Sequence, residues 1–285
     1  MQFLLLLALI GIVIGSATDI KKREVPDWVS YSMMASGIGI RLLFSIALLS
    51  WQPLLAGVYG VLVCAVVANV MYYLGQWGGG DAKALMGVGA LVGIAGWTRA
   101  DFTLAFLLNL VIAGALYGLV YSLVIGLLRP KKTWTAMRSA FTRLPKQVYA
   151  LALVIVALII VCFAILPMRE ALYLAGTLTG LLALLLILWS FAKAVEDSAM
   201  LQWVAPSRLT EGDWIAKDVM VGKKRITGPK DLGVTKEQIR LLKRLHREGK
   251  VKKVLLKVGI PFMPAFLIAF LMTMLWGNVL LAAMP

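Results

Sequence analysis

Two aspartates stand where carboxylates are costly to keep. Asp19 ends an apolar run in GSATDIKKREVPDW, and Asp81 follows three glycines in LGQWGGGDAKALMGVGALVG. The chain has fourteen Asp and Glu, and most of the others fall where water solvates them. An ionisable side chain at the edge of a membrane-like segment marks a functional site by default. Two carboxylates brought together in a partly desolvated place do not both ionise easily, and they share a proton. The ionised member can then take a proton from water while the protonated member hydrogen-bonds a carbonyl, which is peptide hydrolysis without metal or covalent intermediate.

Gly78, Gly79 and Gly80 permit backbone conformations that other residues resist. They are expected to place Asp81 at a helix mouth and let an extended substrate approach, since non-helical backbone is tolerated at that depth where it lines a wet cavity. His246 is the only histidine, and Cys64 and Cys162 lie far apart inside apolar runs. No metal site and no cofactor are therefore expected.

The elements that must position the acids are membrane helices. The chain is 61% hydrophobic and 15% charged over 285 residues, too apolar for a soluble domain. Apolar runs predict eight spans: 3–18, 29–49, 54–74, 82–97, 103–128, 148–166, 171–190 and 260–282. The first and fourth are short and would need tilt or local thinning of the bilayer. The net charge of +15 suggests nucleic acid less than topology. Lys21, Lys22, Arg23, Lys83, the cluster from Arg129 to Lys146 and the basic segment from Lys193 to Lys257 fall on one side, leaving Arg99 and Arg169 on the other. This asymmetry predicts N-out and C-out, with attraction to anionic lipid as a second use of the charge. The fold class expected is an all-α polytopic membrane protein with a small cytoplasmic α+β domain. It divides into a catalytic core (1–128), a basic loop with two further spans (129–193), the cytoplasmic domain (194–258) and a last span (259–285).

MQFLLLLALIGIVIGSA resembles a signal peptide but lacks a basic segment before the apolar run, and is expected to stay as the first helix. Arg41, inside the second span, is expected to snorkel to the outer face. In the soluble segment, DWIAKDVMV and KVKKVLLKV read as strands. VTKEQIRLLKRLHREG reads as a helix capped by Thr235 with Gln238, and by Gly249. In the N-out arrangement the first span ends at Asp19 and the fourth begins at Asp81, so both acids reach the same cytoplasmic face. Gly11 with Gly15, and Gly89 with Gly93, are small-xxx-small pairs. Gly11 and Gly89 each lie about 12 Å along the helix from their acid, which suggests that the first and fourth helices pack together. The glycines serving other neighbours is the alternative.

These residues carry a resemblance. GGGDAKALMGVGALVG looks like the GxGD motif and following helix of the type IV prepilin peptidases and the archaeal preflagellin (prearchaellin) peptidases. DIKKREVPDW is similar to their first motif, and the tail, with GIPFMPAFLIAF, resembles the C-terminal domain of some archaeal members. The resemblance implies that Asp19 and Asp81 are the catalytic pair of a plasma-membrane aspartic endopeptidase. Its substrates would be pilin or archaellin precursors, cut at the cytoplasmic face to remove a short basic leader. No nucleic-acid partner is implied, membrane lipids are, and the oligomeric state is left open. The cysteine-rich insert of bacterial members is absent, which argues against N-methyltransferase activity. Family members often have fewer spans, so the sixth and seventh would be elaborations or fall outside the count. Lys83 matches a lysine after the motif and would tune the acids or anchor the membrane edge. Arg23 lies beside the acids. Asp27 would receive a basic leader residue or cap a helix, and Pro26 would open the second helix. Competing readings are a presenilin-like GxGD protease, a cation transporter or channel using the two acids as ligands, and an assembly subunit. The setting of Asp19 before R-x-V-P favours the first family.

Overall fold

The computed structural model describes residues 2–96, 101–222 and 224–279. The helices are α1 Gln2–Lys22, α2 Asp27–Ala47, α3 Gln52–Tyr73, α4 Gly79–Val92, α5 Phe102–Leu128, α6 Pro130–Thr142, α7 Lys146–Ile165, α8 Met168–Val195, α9 Lys236–Arg247 and α10 Met263–Trp276. Among the described residues five short strands lie between them: β1 Leu201–Val204, β2 Trp214–Ile215, β3 Val219–Val221, β4 Lys224–Thr227 and β5 Val254–Lys257.

Among the described residues, six helices are long and apolar enough to cross a membrane: α1, α2, α3, α5, α7 and α8. The expected fourth and eighth spans are helices too, but α4 and α10 have 14 residues each, about 21 Å against the roughly 30 Å of a bilayer core. The first helix, expected to be short, has 21 residues. Glycines set both short lengths. Gly93 at φ 72° ends α4, and Gly277 at φ 65° ends α10. Arg99 and the last residues of the expected eighth span lie outside the described residues.

The chain forms two compact units. In the first, residues 1–121, 204–254 and 258–285, α4 packs against α1, α2 and α3 and is buried along nearly its whole length from Ala82 to Val92. A helix that is apolar all round is a core helix, and here small residues let its neighbours approach. A Cβ on Gly37 of α2 would lie 2.6 Å from the Ala90 carbonyl carbon, and one on Gly60 of α3 would overlap the Gly89 carbonyl. α1 packs on α4 as expected, but not through the glycines. Gly11 faces Met33 of α2 and Gly15 faces Met263 of α10, while Gly89 faces Gly60 and Cys64 of α3. Asn109 of α5 is fully buried and donates to Thr273 Oγ1 of α10 at 2.9 Å, an interhelical link of the kind that holds apolar helices in register.

Arg41 does not snorkel. It is 5% exposed and donates to the carbonyls of Ala90 (3.0 Å), Leu91 (2.9 Å), Val92 and Pro53 (3.1 Å). The last carbonyls of a helix have no partner within it and carry its negative dipole end. A buried guanidinium with five donors meets both needs.

The polar segment of this unit departs modestly from expectation. DWIAKDVMV splits into β2 and β3, and β3 pairs antiparallel with β4 across an irregularity after Val219. α9 is capped as its sequence predicts. Thr235 and Gln238 exchange hydrogen bonds at 2.9 and 3.2 Å, and Gly249 takes φ 73° just past the helix end. Ile239, Leu242 and Leu245 are its buried face.

The second unit, residues 122–203 and 255–257, packs α6 and α7 against α8 and pairs β1 with β5. The sixth and seventh expected spans are α7 and α8. The basic loop expected before them is largely the helix α6.

Candidate active site

Asp19 reaches the interior through helical periodicity. The buried residues of α1 are Leu4, Ala8, Gly11, Ile12, Gly15, Ser16 and Asp19, spaced by three and four along one face. The carboxylate continues that stripe and is 5% exposed. Its Oδ2 accepts the Met263 N–H at 2.9 Å, and the Phe262 backbone also donates to it. Phe262 caps α10 and Met263 is its first residue, so Asp19 sits on the N-terminus of α10, where free N–H groups and the positive dipole end favour an anion. Ser16 Oγ donates to the Met263 carbonyl at 3.0 Å, fixing the same junction from α1.

Asp81 occupies the first turn of α4. Its Oδ2 accepts the Gly78 N–H at 3.1 Å, closing the turn that the glycines open. Its Oδ1 is buried with no hydrogen-bond partner among the described residues. Asp19 lies in the last turn of α1 and Asp81 in the first turn of α4; the two helices pack together and Gly80 abuts Val25, so the sequence-predicted acids stand at adjoining helix ends.

The glycines before Asp81 work differently from expectation. None of Gly78, Gly79 and Gly80 has positive φ; the left-handed residue of this loop is Gly75, at φ 70°. The space at Gly80 is not an open path either. A Cβ there would stand 3.0 Å from Val25 Cβ and 3.3 Å from its backbone, so Gly80 lets the GGGD loop lie against the segment after α1. Trp77 anchors the loop on its other side, against Phe262 and Phe266 at 5.6 and 5.5 Å between ring centroids.

The supporting residues pair among themselves. Lys83 Nζ donates to Asp27 Oδ1 at 2.6 Å and lies 5.5 Å over the Tyr31 ring. Asp27 is the first residue of α2, and Pro26 is its N-cap. Arg23 has φ 57°, uncommon for a residue with a side chain. Its amide donates to the Asp19 carbonyl and its Nη1 to the Gly259 carbonyl at 2.8 Å. Sequence reasoning missed two neighbours of Asp19. The α10 N-terminus was signalled only by Pro264 in a first helical turn, where proline is tolerated. Tyr117 of α5, which also interacts electrostatically with Asp19, had no sequence signal.

Comparison with known proteins bears on the same residues. Residues 5–123 match the family model of the type IV leader peptidase family. The chain is 33% identical over 86 residues to a preflagellin peptidase of Methanococcus voltae, covering 30% of this chain and 36% of that protein. It is 34% identical over 83 residues to one of Methanococcus maripaludis, covering 29% and 36%, and 36% identical over 83 residues to one of Methanocaldococcus jannaschii, covering 29% and 35%. The matched stretch thus spans about a third of those relatives. No solved structure matches. The helical core over residues 5–123, which carries both Asp19 and Asp81, is thus similar to the type IV leader peptidase family.

Proposed function

We propose that the protein is a membrane aspartic endopeptidase that removes the short basic leader from archaellin or type IV pilin-like precursors at the cytoplasmic membrane face, with Asp19 and Asp81 as its catalytic pair. The observation that carries this reading is the packing of α1 on α4, with Asp19 in the last turn of one and Asp81 in the first turn of the other, inside a region that matches a leader peptidase family. One carboxylate takes a proton from a water held between them, and the water oxygen attacks the scissile carbonyl. The other carboxylate donates its proton to the carbonyl oxygen, and on collapse the departing amine recovers a proton from the pair. The N–H groups of α10 hold Asp19. The Oδ1 of Asp81, unpartnered among the described residues, is the oxygen best placed to meet water or substrate. Lys21, Lys22 and Arg23 after Asp19, and Lys83 after Asp81, support a cytoplasmic site by the positive-inside rule. The apolar helix of the precursor would stand in the bilayer with its leader reaching the two acids.

The test is cleavage of a precursor by the purified protein in proteoliposomes, with the new N-terminus mapped by mass. A single cut just before the apolar helix is expected. Cleavage within that helix would favour the presenilin-like alternative, and cation flux without cleavage would favour a transporter.

A further inference from the structure

We propose that α6 is a membrane-surface strap whose basic N-terminal end binds the phosphate headgroups of anionic lipids. Residues 129–146 contain Arg129, Lys131, Lys132, Arg138, Arg143 and Lys146 and no acid. The nearby acids of the same unit are already engaged: Glu196 pairs with Lys193 and Lys257, and Asp197 with Lys193. The charge of the strap is left for an outside partner.

Chain continuity puts α6 at a membrane face, because it follows α5 and precedes α7, both long and apolar enough to span. Its buried residues are Thr133 and Ala140, one face set toward α8. Trp134 and Phe141 are 56% and 39% exposed, and with Arg138 they make a stripe at helical spacing. Arg138 covers the Trp134 ring at 5.3 Å. An exposed tryptophan and phenylalanine beside cations is the pattern of a helix lying in the headgroup layer. At its start, Arg129, Pro130, Lys131 and Lys132 line an open cleft of about 500 Å³, and Arg129 is steadied by a 3.4 Å bond to the Ser198 carbonyl. Anionic headgroups complement this charge, and each basic residue at a membrane surface strengthens attachment.

The full-length protein, equilibrated with equimolar phosphatidylglycerol and phosphatidylcholine, is examined by native mass spectrometry. The wild type should retain phosphatidylglycerol preferentially. The Arg129→Gln/Lys131→Gln/Lys132→Gln variant should lose that preference by roughly tenfold or more, while Lys131→Arg/Lys132→Arg should keep it. Should the Gln variant fail to fold, raising salt on the wild type must abolish the preference, since screening shortens the reach of surface charge. Preference that survives both would overturn the proposal. Displacement by millimolar inorganic phosphate would overturn it too, revealing a free-anion cleft instead of a bilayer contact. In nanodiscs of lipid brominated near the headgroup, the quenched tryptophan signal should fall in Trp134→Phe. An unchanged signal would place Trp134 away from lipid and reject the strap.

Discussion

At the residue scale, the acids are held by different means. Asp19 is pinned by another helix's N-terminus, whereas Asp81 closes its own helix's first turn. Removing the Oγ that fixes the α10 junction should therefore act on Asp19 alone. Ser16→Ala is expected to lower kcat several-fold with little change in KM, measured on a precursor; an unchanged kcat would show that the junction holds without it. The Lys83–Asp27 pair is another matter. Its side chains are 36% and 61% exposed, and exposed pairs are worth about 0–1 kcal/mol. A double-mutant cycle of Lys83→Gln with Asp27→Asn should give a coupling inside that range, and a larger coupling would mean the clasp is structural. The sequence pointed to both acids, Asp19 because it ends an apolar run and Asp81 because glycines precede it at a helix start. The donor to Asp19 was not, since it lies 244 residues away and depends on how the last helix is laid down.

At the element scale, α4 carries one acid at its start and is fixed at its end by Arg41. Small-xxx-small spacing in the sequence announced that α4 would be approached closely, but spacing does not name the partner: α1 does pack on α4, yet the close glycine contacts are with α2 and α3. Arg41 was illegible as a capping residue because its acceptors exist only where α4 stops, a point set by Gly93. Arg41→Met should destabilise the protein by on the order of 3 kcal/mol, because it strands buried carbonyls; the check is thermal unfolding in detergent, and an unchanged midpoint would refute the role. Gly89→Val should likewise lower stability, overpacking costing about 1–3 kcal/mol, whereas Gly176→Val, with open space around it, should be silent. Gly80→Ala presses on Val25. Adding Val25→Ala should restore part of the lost activity and stability, and no restoration would show that the glycine serves something other than this contact.

At the scale of the whole molecule, the membrane character was legible from composition, since long apolar runs must be helices in lipid. The short lengths of α4 and α10 were less so, because two left-handed glycines end them inside apolar sequence. The proposed orientation makes its own prediction. With Cys64 and Cys162 replaced by Ala, a cysteine at Lys243 in α9 should react with an impermeant reagent only from the cytoplasmic side, and outside labelling would reverse the topology. Thr98, the natural outer-side control, lies outside the described residues. The most direct measurement of all is precursor cleavage by Asp19→Asn and Asp81→Asn, each first shown to insert and unfold like the wild type. Both should be inactive, because an amide can neither take the proton from water nor exchange it within the pair. Cleavage retained by either variant would remove that aspartate from the chemistry and contradict the two-acid site.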